Sequence, residues 1–255
     1  MKKMLAVLLV ASLAVTSLFA GGAKESPDSQ TKTYVFAADA TWPPMEFVDE
    51  AGNLTGFEVE LMPLVGKAVG MDFEVKNIPW DTIFAGLANG AYDGVSSGVT
   101  VTDERKKTMD FSTPILSNGQ VVIVLAKDKD TVKSVKDLPS KANVGVQIGT
   151  TGDFALADYD VTVKRYDDIG LAIQDMLNGN LAACVCDSLI ASDFVLANKN
   201  YQGKLAIAGA PFTQEDIAIA VQKGNKALLD KINEGLAKMQ QDGSLDALKK
   251  KWNIL

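Results

Sequence analysis

Ser96-Ser97-Gly98-Val99-Thr100-Val101-Thr102-Asp103-Glu104-Arg105 decides how this chain is read. A strand over Gly94–Ser97 gives way at Gly98 to a polar turn. A helix then starts at about Thr102, with Arg105 in its first turn. Exposed backbone N–H groups, hydroxyls and a guanidinium fall within a few residues. Arginine grips a carboxylate through two parallel hydrogen bonds, and a helix N-terminus adds N–H donors and a favourable dipole. The local alternative is an arginine in a solvated surface ion pair.

Outward from this stretch, short apolar segments alternate with helical patterns. Strands are expected at Tyr34–Ala38, Phe73–Asn77, Val121–Ala126, Asn143–Gln147, Val161–Arg165, Ala182–Cys186, Leu205–Ala208 and Ile217–Gln222. Helical patterns include Glu58–Val69, Thr82–Asn89, Asp103–Met109, Gly170–Leu177, Asp187–Ala197 and Lys226–Gln241. Pro63 predicts a kink or a late start for the first helix. The alternation defines an α/β protein with mostly parallel sheets, whose ligands bind at the carboxyl ends of strands. Asp39, Gly98, Gly149 and Asp187 each follow a strand.

The amino-terminal segment reads separately. Lys2 and Lys3 precede an uncharged apolar run from Met4 to Ala20, and Ala20-Gly21-Gly22-Ala23 follows. This is the layout of a cleaved secretory signal, at the short end for a membrane anchor. Residues 24–32 read as a disordered leader. The chain carries 25 basic against 32 acidic residues, a net charge of −7. That balance opposes nucleic acid and anionic membrane surfaces as partners. With no histidine in the chain, the commonest metal ligand and general base are missing, and neither a metal site, a cofactor nor a catalytic group is assigned. Cys184 and Cys186 share one strand face, where they lie side by side with poor disulfide geometry; two buried thiols are expected.

Several segments, in order, carry a resemblance. They are Asp39-Ala40-Thr41-Trp42-Pro43-Pro44-Met45-Glu46-Phe47, Gly56-Phe57-Glu58-Val59-Glu60-Leu61, Pro79-Trp80-Asp81, the Ser97–Arg105 stretch, Gly149-Thr150-Thr151-Gly152 and Val185-Cys186-Asp187. From about Tyr34 onward the chain resembles the family 3 extracellular solute-binding proteins, the polar-amino-acid receptors of ABC importers. The resemblance implies a two-lobed type II periplasmic-binding-protein fold with two hinge crossovers and a ligand cleft between the lobes. It places residues 33–118 and 217–255 in one lobe and 119–216 in the other, after a signal at 1–23. Crossings are expected near Ser117–Val121 and Glu215–Ile217.

The resemblance also implies roles. Arg105 would clamp an α-carboxylate, with the Thr100 and Thr151 N–H groups as further donors. Asp187 would accept from the α-ammonium, helped by the Thr100 hydroxyl and the Gly98 carbonyl; alone, it reads as a helix cap. Ser97 belongs to the same loop. Trp42 and Trp80 would wall the side chain, or else be core. Asp39, Glu46 and Glu58 would lie near its distal end and favour a polar or basic ligand, or else Glu58 simply starts a helix, where acids are stabilising; Gln147 stands where some relatives carry lysine. The implied protein is a periplasmic monomer that delivers a free amino acid to a membrane permease. A dehydratase on the same scaffold and a ligand-binding component of a chemoreceptor are the alternatives.

Overall fold

The computed structural model describes residues 32–254. The expected signal peptide and nearly all of the expected leader lie outside the described residues. Two five-stranded sheets organise the chain. The first runs in the order Asp72–Asn77, Thr33–Ala38, Gly94–Val95, Ala220–Gln222, Met109–Phe111. The second runs Val161–Tyr166, Ala142–Gln147, Ala183–Asp187, Gln120–Leu125, Leu205–Ala208. In each, three parallel strands adjoin two that complete the sheet by antiparallel pairing. The two lobes therefore share one plan that no repeat in the sequence betrays.

Each sheet is covered by helices for a legible reason. In helix Phe57–Ala68, Phe57, Leu61, Met62 and Val65 recur at helical spacing and are buried, packed in one core with Phe36 and Phe73. The helix starts well ahead of Pro63, so the late start does not occur. Helix Lys226–Gln241 buries Leu228, Ile232, Leu236 and Met239. Gly235 lets it approach the first helix closely, since a Cβ there would sit 2.7 Å from the Val65 carbonyl oxygen. In the second lobe Ile169, Ala172, Ile173 and Met176 form the inward stripe of helix Ile169–Leu177. Cys184 and Cys186 are buried and unbonded to each other, and burial pushes both thiols well up.

The chain leaves the first sheet through Leu116–Asn118 and returns through Glu215–Ile217. These two segments pair antiparallel, with Asn118 opposite Glu215 and Leu116 opposite Ile217. The expected single strand Ile217–Gln222 is thus two strands, Glu215–Ile217 and Ala220–Gln222, because the first pairs with the crossing and the second with the sheet. Three short strands, Thr41–Trp42, Glu46–Val48 and Leu54–Thr55, form a separate meander that the apolar pattern does not announce. Among the described residues, no helix is long and apolar enough to cross a membrane.

Candidate ligand-binding site

The stretch that opened the sequence reading folds as its pattern dictates, with the strand ending two residues early, at Val95. Gly98 adopts φ +55°, which turns the chain. Thr102 caps the helix Asp103–Thr108, its hydroxyl accepting from the Arg105 N–H at 3.1 Å. Thr100 bridges to Ile217 on the return strand, through Val101 N–H to the Asp216 carbonyl and Ala218 N–H to the Val99 carbonyl. That pattern leaves the N–H and C=O of Thr100 itself pointing away from the return strand. The carbonyl accepts from Arg105 Nη1 at 3.0 Å.

Arg105 also reaches the other lobe, donating from Nη2 to the Gly149 carbonyl at 3.4 Å. Its guanidinium carbon lies 5.4 Å from the Trp80 ring centre and 5.0 Å from that of Phe84. Aromatic faces favour a cation held there. Water exclusion pushes the guanidinium down to about 10, against the charges of Asp187 and Glu215. It remains positive at neutral pH. Thr151 opens the helix Thr151–Phe154, so its N–H is one of the unpaired donors of that terminus. Its hydroxyl is 3.3 Å from that of Thr100, across the lobe boundary.

Asp187 ends the strand Ala183–Asp187 and is 2 % exposed. It stands at the start of helix Ser188–Ser192 but makes no side-chain capping bond. The cap reading therefore does not account for its carboxylate. Oδ1 accepts from Asn118 Nδ2 at 2.6 Å. Burial, and then the charge of Glu215, raise this carboxyl to about 7, while Gln120 and Arg105 oppose the rise.

Trp42 and Trp80 lie face to face, with ring centres 6.2 Å apart and planes inclined by 11°. Trp42 is tied to the second lobe by Nε1–H donating to Gln147 Oε1. Gln147 Nε2 donates to Asp39 Oδ2 at 2.9 Å, so one amide spans two residues of the opposite lobe. Burial raises the Asp39 carboxyl, and the Gln147 bond offsets part of that rise. The Asp39 N–H donates to Ser97 Oγ, which donates to Glu46 Oε1 at 2.9 Å.

Glu46 and Glu58 bond to the turn beneath the seam. Neither has exposed surface. Glu58 accepts from Gly98 N–H at 2.6 Å and from the Ser96 hydroxyl, so it underpins the Ser96–Gly98 turn. Burial pushes Glu58 up to about 7. Glu46 is pushed well above the carboxylate range by burial and then by Glu58, and its Oε2 has no partner. These two acids support the floor of the site. Gly98→Ala tests how finely that floor is fitted. A Cβ at this left-handed position would meet the Trp42 ring at 3.0 Å. The substitution is expected to cost about 1 kcal/mol in urea unfolding and to shift Trp42 emission; equal stability and an unchanged spectrum would refute the fit.

All nine residues singled out from the sequence gather along the boundary between the lobes. Seven of them are linked by the hydrogen bonds and ring contacts above. Gly98 lies beneath the Trp42 ring, and Asp187 is held through Asn118 within electrostatic reach of Arg105 and Glu215. Sequence reasoning passed over Gln120 and Glu215 as site residues. Gln120 Nε2 bonds Thr151 Oγ1 at 3.1 Å, and Glu215 Oε2 accepts from both Thr100 and Thr151. No local motif marks either residue, although the expected crossing at Glu215–Ile217 was a pointer to the second.

Two α/β lobes, a paired double crossing and a polar seam with a cation and a carboxylate from opposite sides define a hinged solute-binding protein. The model for bacterial extracellular solute-binding proteins, family 3, matches residues 34–254, and the chain belongs to that family. It is 36 % identical to a probable histidine-binding protein of Neisseria gonorrhoeae, over 99 % of this chain and 96 % of that protein. It is 37 % identical to the L-cystine-binding protein TcyJ of Escherichia coli K12, over 97 % and 92 %. The solved arginine-, lysine-, histidine-binding protein ArtJ of Geobacillus stearothermophilus superposes with a TM-score of 0.80 at 34 % identity, covering 87 % of this chain and 95 % of that one.

Proposed function

We propose that the protein captures a free L-amino acid with a polar or basic side chain and delivers it to the permease of an ABC importer. The carrying observation is the opposition of Arg105 and Asp187 on two lobes that meet at Thr100 and Thr151. An α-amino acid is a zwitterion, and a receptor for it needs both signs at a fixed separation. On this reading Arg105 and the Thr100 and Thr151 N–H groups take the carboxylate. Asp187, the Gly98 carbonyl and the Thr100 hydroxyl take the ammonium. Ser97 and Asp39 line the inner end.

The parallel Trp42 and Trp80 rings, with Asp39 beside them, suit a flat or cationic side-chain terminus. The names of the relatives, which include histidine-, cystine- and arginine-binding proteins, support the polar or basic preference. Residues 33–118 with 217–255 act as one jaw and 119–216 as the other. A ligand bonded to both jaws stabilises the closed state by differential binding. The receptor works in the periplasm as a monomer and releases its ligand unchanged.

A thermal-shift screen of refolded protein against the twenty common amino acids and cystine tests this. A ligand at a hundred times its Kd adds about 2.7 kcal/mol of apparent stability. At least one polar or basic amino acid is expected to raise Tm and to change tryptophan emission through Trp42 or Trp80. A screen in which none raises Tm would remove the reading.

A further inference from the structure

An ion pair stands behind the loop that faces Arg105. The loop, Gly149-Thr150-Thr151, leads from the strand Ala142–Gln147 into the helix Thr151–Phe154. Asp153, on that helix, is 5 % exposed. Its Oδ2 accepts from Gly149 N–H at 3.1 Å and from Arg165 Nε at 2.9 Å. Arg165 lies on the neighbouring strand Val161–Tyr166, opposite Val146, with its side chain half exposed.

The loop is tied at both ends. The Thr150 hydroxyl accepts from Asp153 N–H at 3.3 Å and donates to the Gln147 carbonyl at 2.9 Å. The Asp153 carboxylate closes the ring by accepting from Gly149, much as the acid of a capping box does. Gly149 has φ +70°, a left-handed conformation. With its N–H held by Asp153, its carbonyl is turned toward Arg105, whose Nη2 donates to it at 3.4 Å. The Thr151 N–H follows two residues on. Every bond of the clamp lies within residues 119–216, so the clamp is the same whether the jaws are open or closed.

Charge matters separately from these bonds. A carboxylate shielded from water is weakly screened, and one placed behind this loop repels a ligand carboxylate arriving in front of it. Arg165 sets the opposite charge against the same oxygen. Seen from the loop, the pair is close to neutral.

We propose that Asp153 and Arg165 are positioning residues: Asp153 sets the Gly149–Thr151 loop that meets a ligand carboxylate, and Arg165 cancels the negative charge that Asp153 brings to it. The carboxylate half of this inference rests on the amino-acid reading of the site; the loop clamp does not. Neither residue needs contact with ligand.

The experiment compares wild type with Asp153→Ala, Asp153→Asn, Arg165→Met and the double variant Asp153→Asn/Arg165→Met. Hydrogen exchange read by mass spectrometry follows residues 147–154 in ligand-free protein. Calorimetry reads binding of L-arginine, L-histidine and their carboxamides, which keep the ammonium and the side chain but lack the negative charge. Tm reports folding. Asp153→Ala is expected to speed exchange in the loop about tenfold. Its affinity for the amino acid that binds wild type should fall by about the same factor, the worth of a hydrogen bond to a charged group. Asp153→Asn, whose amide oxygen still accepts from Gly149, should lose less on both counts. Arg165→Met leaves the carboxylate without its cation. It should weaken the amino acid about tenfold and the carboxamide less than about threefold. The double variant, with no anion left, should regain most of what Arg165→Met loses.

Loop exchange as slow in Asp153→Ala as in wild type would overturn the clamp. Equal losses for amino acid and carboxamide in Arg165→Met, or no recovery in the double variant, would overturn the charge cancellation. Should the carboxamide bind too weakly to titrate, recovery in the double variant decides that point. If neither amino acid binds wild type, the carboxylate half falls with the amino-acid reading, while exchange still decides the clamp. Should Asp153→Ala fail to fold, Asp153→Asn replaces it, with exchange no faster than wild type as the overturning result.

Discussion

Replacing Arg105 with alanine is expected to weaken amino-acid binding by about 3–5 kcal/mol, more than a hundredfold. The size follows from what the guanidinium faces. Both terminal nitrogens already donate once, to the Thr100 and Gly149 carbonyls. Those bonds and the rings of Trp80 and Phe84 hold the fork in place. Three of its five N–H groups remain for a carboxylate. Little ordering entropy is then lost when the ligand arrives. Truncation removes the charge, the fork and the contact that links the jaws at Gly149, leaving a ligand carboxylate in a seam with no cation. Arg105→Lys should recover only part of the loss, since a point charge cannot make the two-point contact. Calorimetry with the amino acid selected by the thermal screen reads the effect, and the unliganded Tm serves as the folding control. A loss below threefold would show that Arg105 is not the carboxylate anchor.

The reach of sequence reasoning here has a physical boundary. The Ser97–Arg105 turn was legible because capping, a required left-handed glycine and a first-turn cation are local properties, set within ten residues of chain. Gly149 and Asp187 were legible for the same reason, as residues placed just after strands, whereas Thr151 was marked only by the family resemblance. What each side chain bonds to was not legible. Asp187 looked like a helix cap, yet its acceptor atom is bonded to Asn118, 69 residues away. Glu46 and Glu58 looked like ligand-facing acids, yet both are buried beneath Ser96–Gly98, 38 to 51 residues distant in the chain. Glu215 reaches Thr100 across 115 residues. Such partners are brought together only when the two crossings pair, and nothing in the neighbourhood of Glu215 or Gln120 encodes that. The short meander around Trp42 escaped for a related reason: strands of two or three residues bury too little to impose an alternating pattern.

Asp187→Asn is expected to lower affinity for the same amino acid by about 2–4 kcal/mol and to remove most of its pH dependence. In the closed seam the Asp187 carboxyl is held at about 7 by burial and by Glu215. An incoming ammonium selects the ionised form, so binding below that value must expel a proton. Wild-type affinity should therefore fall as pH drops, by about 25-fold between pH 7.5 and 5.5 for a pKa near 7. The asparagine variant should be weak and nearly level over the same range. Stability runs the other way. A carboxyl whose folded value is raised contributes stability at low pH, and that contribution is lost as pH climbs from about 4 through about 7. Glu58, also pushed to about 7, adds a loss of the same sign. Unliganded wild type should thus be harder to unfold with urea at pH 5.5 than at pH 8, and Asp187→Asn should retain only the part of that slope due to other groups. Binding and stability then respond to pH with opposite signs, and only the binding slope depends on the ligand ammonium. Wild-type affinity that stays constant from pH 7.5 to 5.5 would exclude Asp187 as its partner.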